Sequence, residues 1–101
     1  MDYRIVWSKT ALADLHDLVR YISSDNRPAA RQFGDRIVSK VDNLKPFPRL
    51  GRIVPEYRDN RVREVILTPY RIIYELDDEQ NALSVLRIWH RARGEPEQPS
   101  G

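Results

Sequence analysis

The chain has 101 residues, 17 basic and 15 acidic, and no cysteine. That length suits one compact domain, and the missing cysteine excludes a disulfide framework, a thiolate nucleophile and a sulfur-ligated metal. Two histidines, His16 and His90, cannot make a three-histidine zinc site, no apolar run nears the roughly 20 residues that span a bilayer, and Met1-Asp2-Tyr3-Arg4 does not open a signal peptide.

The chain order begins with Tyr3 to Trp7, a short run of β-branched and aromatic residues that reads as a strand. Ser8 can cap the helix that follows, Lys9 to about Ser23, with Leu12, Leu15, Leu18, Val19 and Ile22 on one face. Ser23-Ser24-Asp25-Asn26 breaks that helix, and Pro28 suits the first turn of a second. Its stripe is Phe33, Ile37, Val38, Val41 and Leu44, and it must end before Pro46-Phe47-Pro48. Arg49 to Asn60 reads as a polar loop. Val62–Leu67, Tyr70–Leu76 and Ala82 to about Arg91 read as three strands joined at hairpin lengths.

The expected fold is therefore α+β: strand–helix–helix–strand–strand–strand. A mainly antiparallel four-stranded sheet carries a helical hairpin on one face. Residues 1–93 make one domain, and 94–101, with two prolines and two glutamates, make a disordered tail. The expected setting is cytoplasmic, with no cofactor, no metal and no membrane.

Of the 17 basic residues 14 are arginine, and only Lys9, Lys40 and Lys45 are lysine. Codon bias alone can give such a ratio, so placement has to carry the argument. Residues 1–42 sum to +1, 43–76 to +3, 77–86 to −3 and 87–94 to +3. Alternation puts Tyr70, Ile72, Tyr74 and Leu76 on one sheet face and Arg71, Ile73 and Glu75 on the other. Arg71 and Arg87 interrupt apolar strands, so their expected home is an uncovered face, exposed or paired with Glu64 and Glu75.

Antiparallel connections bring the end of the last strand beside the start of the Tyr70 strand. That places His90 and Arg91 near Arg71, with Arg63 up to a strand length away. Arginine forks grip phosphate and carboxylate bidentately, and a histidine can work as acid or base near neutrality. Should the chain cleave RNA without metal, Arg71, His90 and Arg91 are the candidate catalytic residues. Arg63, Arg71, Arg87, Arg91 and Arg93 are candidates for binding a nucleic acid or another target. His90 has the opposite strand parity to Arg87 and Arg91, so either the strand stops before it or its ring points to the helices.

Several segments carry a family resemblance. They are Trp7-Ser8, Leu44-Lys45-Pro46-Phe47-Pro48-Arg49-Leu50-Gly51, Val62-Arg63-Glu64, Pro69-Tyr70-Arg71-Ile72-Ile73-Tyr74-Glu75 and Val85 through Arg93. In this order they resemble the RelE/ParE superfamily of toxins from bacterial type II toxin–antitoxin systems. The resemblance implies a toxin neutralised by a cognate antitoxin whose C-terminal segment wraps it. It also implies one of two actions. RelE-like members cleave ribosome-bound mRNA without metal and are enzymes; ParE-like members poison DNA gyrase and are not. The Val62–Leu67 strand lacks the paired lysines of RelE, and no tyrosine follows His90, whereas the Pro-Phe-Pro-x-x-Gly loop and the His-x-Ala-Arg ending favour the ParE side. A non-toxic binding module on the same scaffold is a lesser alternative, since fold does not fix function.

Overall fold

The computed structural model describes residues 2–96. Strand β1, Arg4–Trp7, runs into Ser8, whose Oγ accepts from the Ala11 amide at 3.0 Å and opens helix α1, Lys9–Ser23. Asn26 does the same for α2, Arg27–Asp42, accepting from the Ala29 amide at 2.9 Å, with Pro28 in the first turn where no amide is missed. Each helix turns an apolar stripe inward, including Ala11 and Leu18 on α1 and Ala30, Ile37 and Val41 on α2.

The stripes cover one face of a sheet ordered β1-β5-β4-β3-β2. Here β2 is Arg52–Ile53, β3 Val62–Leu67, β4 Tyr70–Asp77 and β5 Ala82–His90. Strand β1 lies parallel to β5, and the remaining pairs are antiparallel. The helices pack on Ile72, Tyr74, Leu76, Leu83, Val85 and Ile88, which form the main core. A helical hairpin on one sheet face is the arrangement the apolar spacing required.

Two features depart from expectation. The sheet has five strands rather than four, because Arg52 and Ile53, inside the stretch read as a polar loop, pair with Glu64 and Arg63. Two residues are too few to show alternation. The second face is also not open. Loop 54–60 folds over it and buries Val54 and Tyr57 against Val62, Ile73 and Trp89. Leaving those side chains in water would forfeit about 1.5–3 kcal/mol each, which explains why the loop closes.

A bulge in β5 sits between these layers. Tyr74 pairs with Val85 while Ile73 pairs with Arg87, leaving Leu86 as the extra residue. Past His90 a single 3₁₀ turn, Arg91–Arg93, ends the sheet. The Gly94 carbonyl accepts from Trp89 Nε1 at 2.9 Å, and positions 97–101 of the expected tail lie outside the described residues.

Candidate functional site

The outer face of the sheet carries a four-member charge cluster. Arg71 on β4 is 8 % exposed. Its Nε donates to Glu64 Oε1, and its two terminal nitrogens donate to Glu56 at 2.9 and 2.8 Å. Glu64, buried on β3, also accepts from Arg52 Nε on β2. Two arginines meet two carboxylates, so every buried charge is paired, the condition for tolerating such groups in a protein interior. Arg71 holds the Glu56 carboxyl at a pKa of about 2, and the same contacts raise that of Arg71. Of the alternatives left open for Arg71, exposure or pairing with Glu64 or Glu75, the structure has the pair with Glu64. Glu56 was not anticipated, because it reaches Arg71 from a loop 15 residues away.

Arg63 lies at the far end of β3 from the expected cleft. It donates to the carbonyls of Asn60, Arg49 and Gly51 and so fastens the 49–60 loop. Beside it Tyr74, fully buried, donates its hydroxyl to the Pro48 carbonyl at 2.7 Å and accepts from the Gly51 amide at 3.0 Å. A Cβ at Gly51 would stand 2.5 Å from both the Glu64 carbonyl oxygen and the Tyr74 hydroxyl. The Pro-Phe-Pro-x-x-Gly segment is thus a loop clamped onto the sheet by one phenol.

Arg87 is paired, but with Asp14 of α1 rather than with Glu75. Its Nε and a terminal nitrogen reach the Asp14 carboxylate at 2.8 and 3.1 Å. The same carboxylate accepts from the Ile88 amide at 2.9 Å. β1 covers β5 only as far as Val85, and Asp14, with Ser8 Oγ on the Leu86 carbonyl, occupies the edge beyond. The Arg87 and Arg93 guanidinium carbons lie 4.9 and 4.1 Å from the Trp89 ring centroid. Arg91 is exposed.

His90 pairs with Tyr70 and Arg71 with Trp89, as the connections required. The side chains nevertheless do not meet. His90 shares the helix side with Tyr70, its ring edge-on at 5.1 Å, while Arg71 faces the loop side. The Ala92 amide donates to His90 Nδ1 at 3.0 Å. That nitrogen is thereby engaged with the backbone of the turn. Of the sequence candidates, Arg87 and Arg93 converge on Trp89. Arg63, Arg71 and His90 are held at three separate places. Among the described residues no group of histidines or carboxylates is arranged to hold a metal, and no helix is long and apolar enough to cross a membrane.

Residues 5–94 match the family model described as the ParE toxin of type II toxin–antitoxin systems. The chain belongs to the ParE toxin family. The toxin is 33% identical to the protein named toxin RelE2 of Caulobacter vibrioides, over 89% of its own length and 97% of that relative. A solved chromosomal ParDE system from P. aeruginosa superposes with a TM-score of 0.72 at 22% identity, covering 87% of this chain and 95% of that one. The RelBE2 toxin–antitoxin complex of Mycobacterium tuberculosis gives 0.59 at 27% identity, over 90% of the toxin and 100% of that chain. The toxin thus has the RelE/ParE fold, and names from both branches stand among its relatives.

Asp14 and Glu56 are the residues at this face that sequence reasoning passed over. Asp14 lies on the same helix face as Leu18, four residues on, and that was its signal. Val54 and Tyr57, two apolar residues flanking Glu56 in a charged loop, were the signal that the loop folds back.

Proposed function

We propose that the toxin acts as a ParE-like inhibitor of DNA gyrase, by binding and not by cutting RNA, and that a cognate antitoxin neutralises it. The observation that carries the reading is the engagement of Arg71. Metal-free cleavage needs a cation free to meet the reacting phosphate and an acid–base group within hydrogen-bond reach. Here the Arg71 fork is filled by Glu56 and Glu64, and His90 lies on the other side of the sheet. The reading is supported further by the family model, which is that of the ParE toxin.

The antitoxin reading is supported by the solved relatives, described as ParDE and RelBE2 toxin–antitoxin assemblies. A groove of about 340 Å³ between α2 and β3, lined by Lys40, Leu44, Leu50, Arg52, Glu64 and Val65, suits a partly apolar segment that folds on binding, with Lys40 to meet an acidic residue on it.

RelE-like mRNA cleavage is the second reading, favoured by the Tyr70-Arg71 strand and by the name of the Caulobacter relative. It requires Glu56 to leave Arg71. Induction in a bacterium separates the two. The gyrase reading expects filamentation, SOS induction and intact mRNA within the first minutes. Codon-positioned cuts in mRNA with no SOS response would overturn it.

A further inference from the structure

Sorting the arginines by partner isolates an unusual one. In the second half of the chain Arg49, Arg52, Arg61, Arg71 and Arg87 each meet a carboxylate, and Arg63 fastens loop carbonyls. Arg58, Arg91 and Arg93 have no carboxylate partner among the described residues. Two of them adjoin the small second core, and the third begins the turn that carries Arg93. Arg58 follows Tyr57, whose ring is buried with Trp89, Arg93 lies over the Trp89 ring, and Arg91 begins the turn after His90.

Arg58 also sits at φ +51°, in the left-handed region. A residue with a Cβ is strained there, and asparagine and glycine are the usual occupants. The other positive-φ position with a side chain among the described residues is Asn81, in the β4–β5 turn, where such a residue is ordinary. Arg58 is exposed, so packing does not demand an arginine. Among the described residues Arg20, Arg27, Arg31 and Arg36 of the helices also lack carboxylate partners, but they lie on unstrained helical backbone. Strain held at an exposed side chain with no carboxylate partner among the described residues points to a group kept for an external one.

We propose that Arg58, together with Arg91 and Arg93, grips an acidic patch on the toxin's protein target, a proposal that rests on the protein-binding reading above. A protein patch fits better than a phosphate backbone. Glu56, Asp59 and Glu95 interrupt the basic surface, whereas a nucleic acid favours a continuous basic track. Trp89 and Tyr57, the aromatic rings at this end, are buried and cannot stack on bases.

The test compares wild type with Arg58→Gly and Arg58→Lys, reading growth arrest at matched expression and the Tm of the purified toxin. Arg58→Gly removes the fork and relieves the backbone. Its Tm should rise by about 3 °C, while the inducer needed for half-maximal arrest rises at least tenfold. Arg58→Lys keeps charge and strain but loses the planar fork, so its toxicity should fall between wild type and Arg58→Gly with an unchanged Tm. Arg58→Gly with full toxicity, or with a lowered Tm, overturns the proposal. So does wild-type binding to a labelled RNA or DNA duplex that disappears in Arg58→Gly, since the partner is then nucleic acid. Wild type that arrests growth while sparing purified gyrase overturns the gyrase reading alone, because the Arg58 comparison is made on growth arrest.

Discussion

Arg71 meets Glu56 through two parallel hydrogen bonds, 2.9 and 2.8 Å, from a strand to a loop that closes over it. That pair turns a residue expected at a phosphate-binding cleft into the anchor of a covered face. Its Glu56 side is the more accessible, with 22% of the side chain exposed against 9% for Arg71. Glu56→Gln should therefore keep the fold, lower stability by about 1–2 kcal/mol and free one side of the Arg71 fork. Urea denaturation of the variant against wild type measures it.

The same pair sets an acid limit. The folded pKa of Glu56 is about 2, below its ordinary 4.5. A depressed carboxyl pKa contributes stability that is complete above the unfolded value and lost as pH falls through the folded one. Stability should thus decline between about pH 4.5 and pH 2, by on the order of 2 kcal/mol from this group. Denaturation midpoints across that range in wild type and Glu56→Gln check the slope, which should be shallower in the variant.

Tyr74→Phe should release the Pro48–Gly51 loop. Deleting the hydroxyl leaves the Gly51 amide without its partner, at a cost of about 1–3 kcal/mol. Gly51→Ala should be worse, because its Cβ would meet the Glu64 backbone as well as the phenol. Amide hydrogen exchange over residues 46–53 should speed up in Tyr74→Phe while the helices stay protected.

Asp14→Ala should open the upper edge of β5. It removes the acceptor of the Ile88 amide and the partner of Arg87 at once, which predicts a loss of about 2–3 kcal/mol. Asp14→Asn, which can still accept one hydrogen bond, should recover about half of that. Thermal unfolding of the two variants makes the comparison.

Much of this architecture was legible because periodicity reports burial. Leu15, Leu18 and Ile22 on one helix, Ile37 and Val41 on the next, and the Tyr70–Leu76 alternation define the covered face and its order. Glu64 was also among the partners the sequence offered for an arginine on the outer face, with exposure as the alternative. The rest depends on contacts that no period encodes. Glu56 and Asp14 reach their arginines from a loop and a helix face 15 and 73 residues distant. The bulge at Leu86 shifts parity in mid-strand, so that Val85 and Ile88 share a face three residues apart. For His90 the sequence allowed a strand that stops before it or a ring turned to the helices, and the strand runs through it with the ring on the helix side, away from Arg71.

His90→Ala should leave toxicity unchanged within about twofold, since its Nδ1 caps the Arg91–Arg93 turn and its ring packs on Tyr70. Truncation should cost about 1 kcal/mol of stability. Growth arrest at matched expression, with Tm as control, reads both effects.

The proposed action of this toxin is to disable gyrase by binding it. A supercoiling assay with purified gyrase and purified toxin tests that most directly. The expected result is dose-dependent loss of supercoiling with accumulation of cleaved DNA, reversed by the cognate antitoxin. Full supercoiling activity at a molar excess of folded toxin that arrests growth in cells would contradict it.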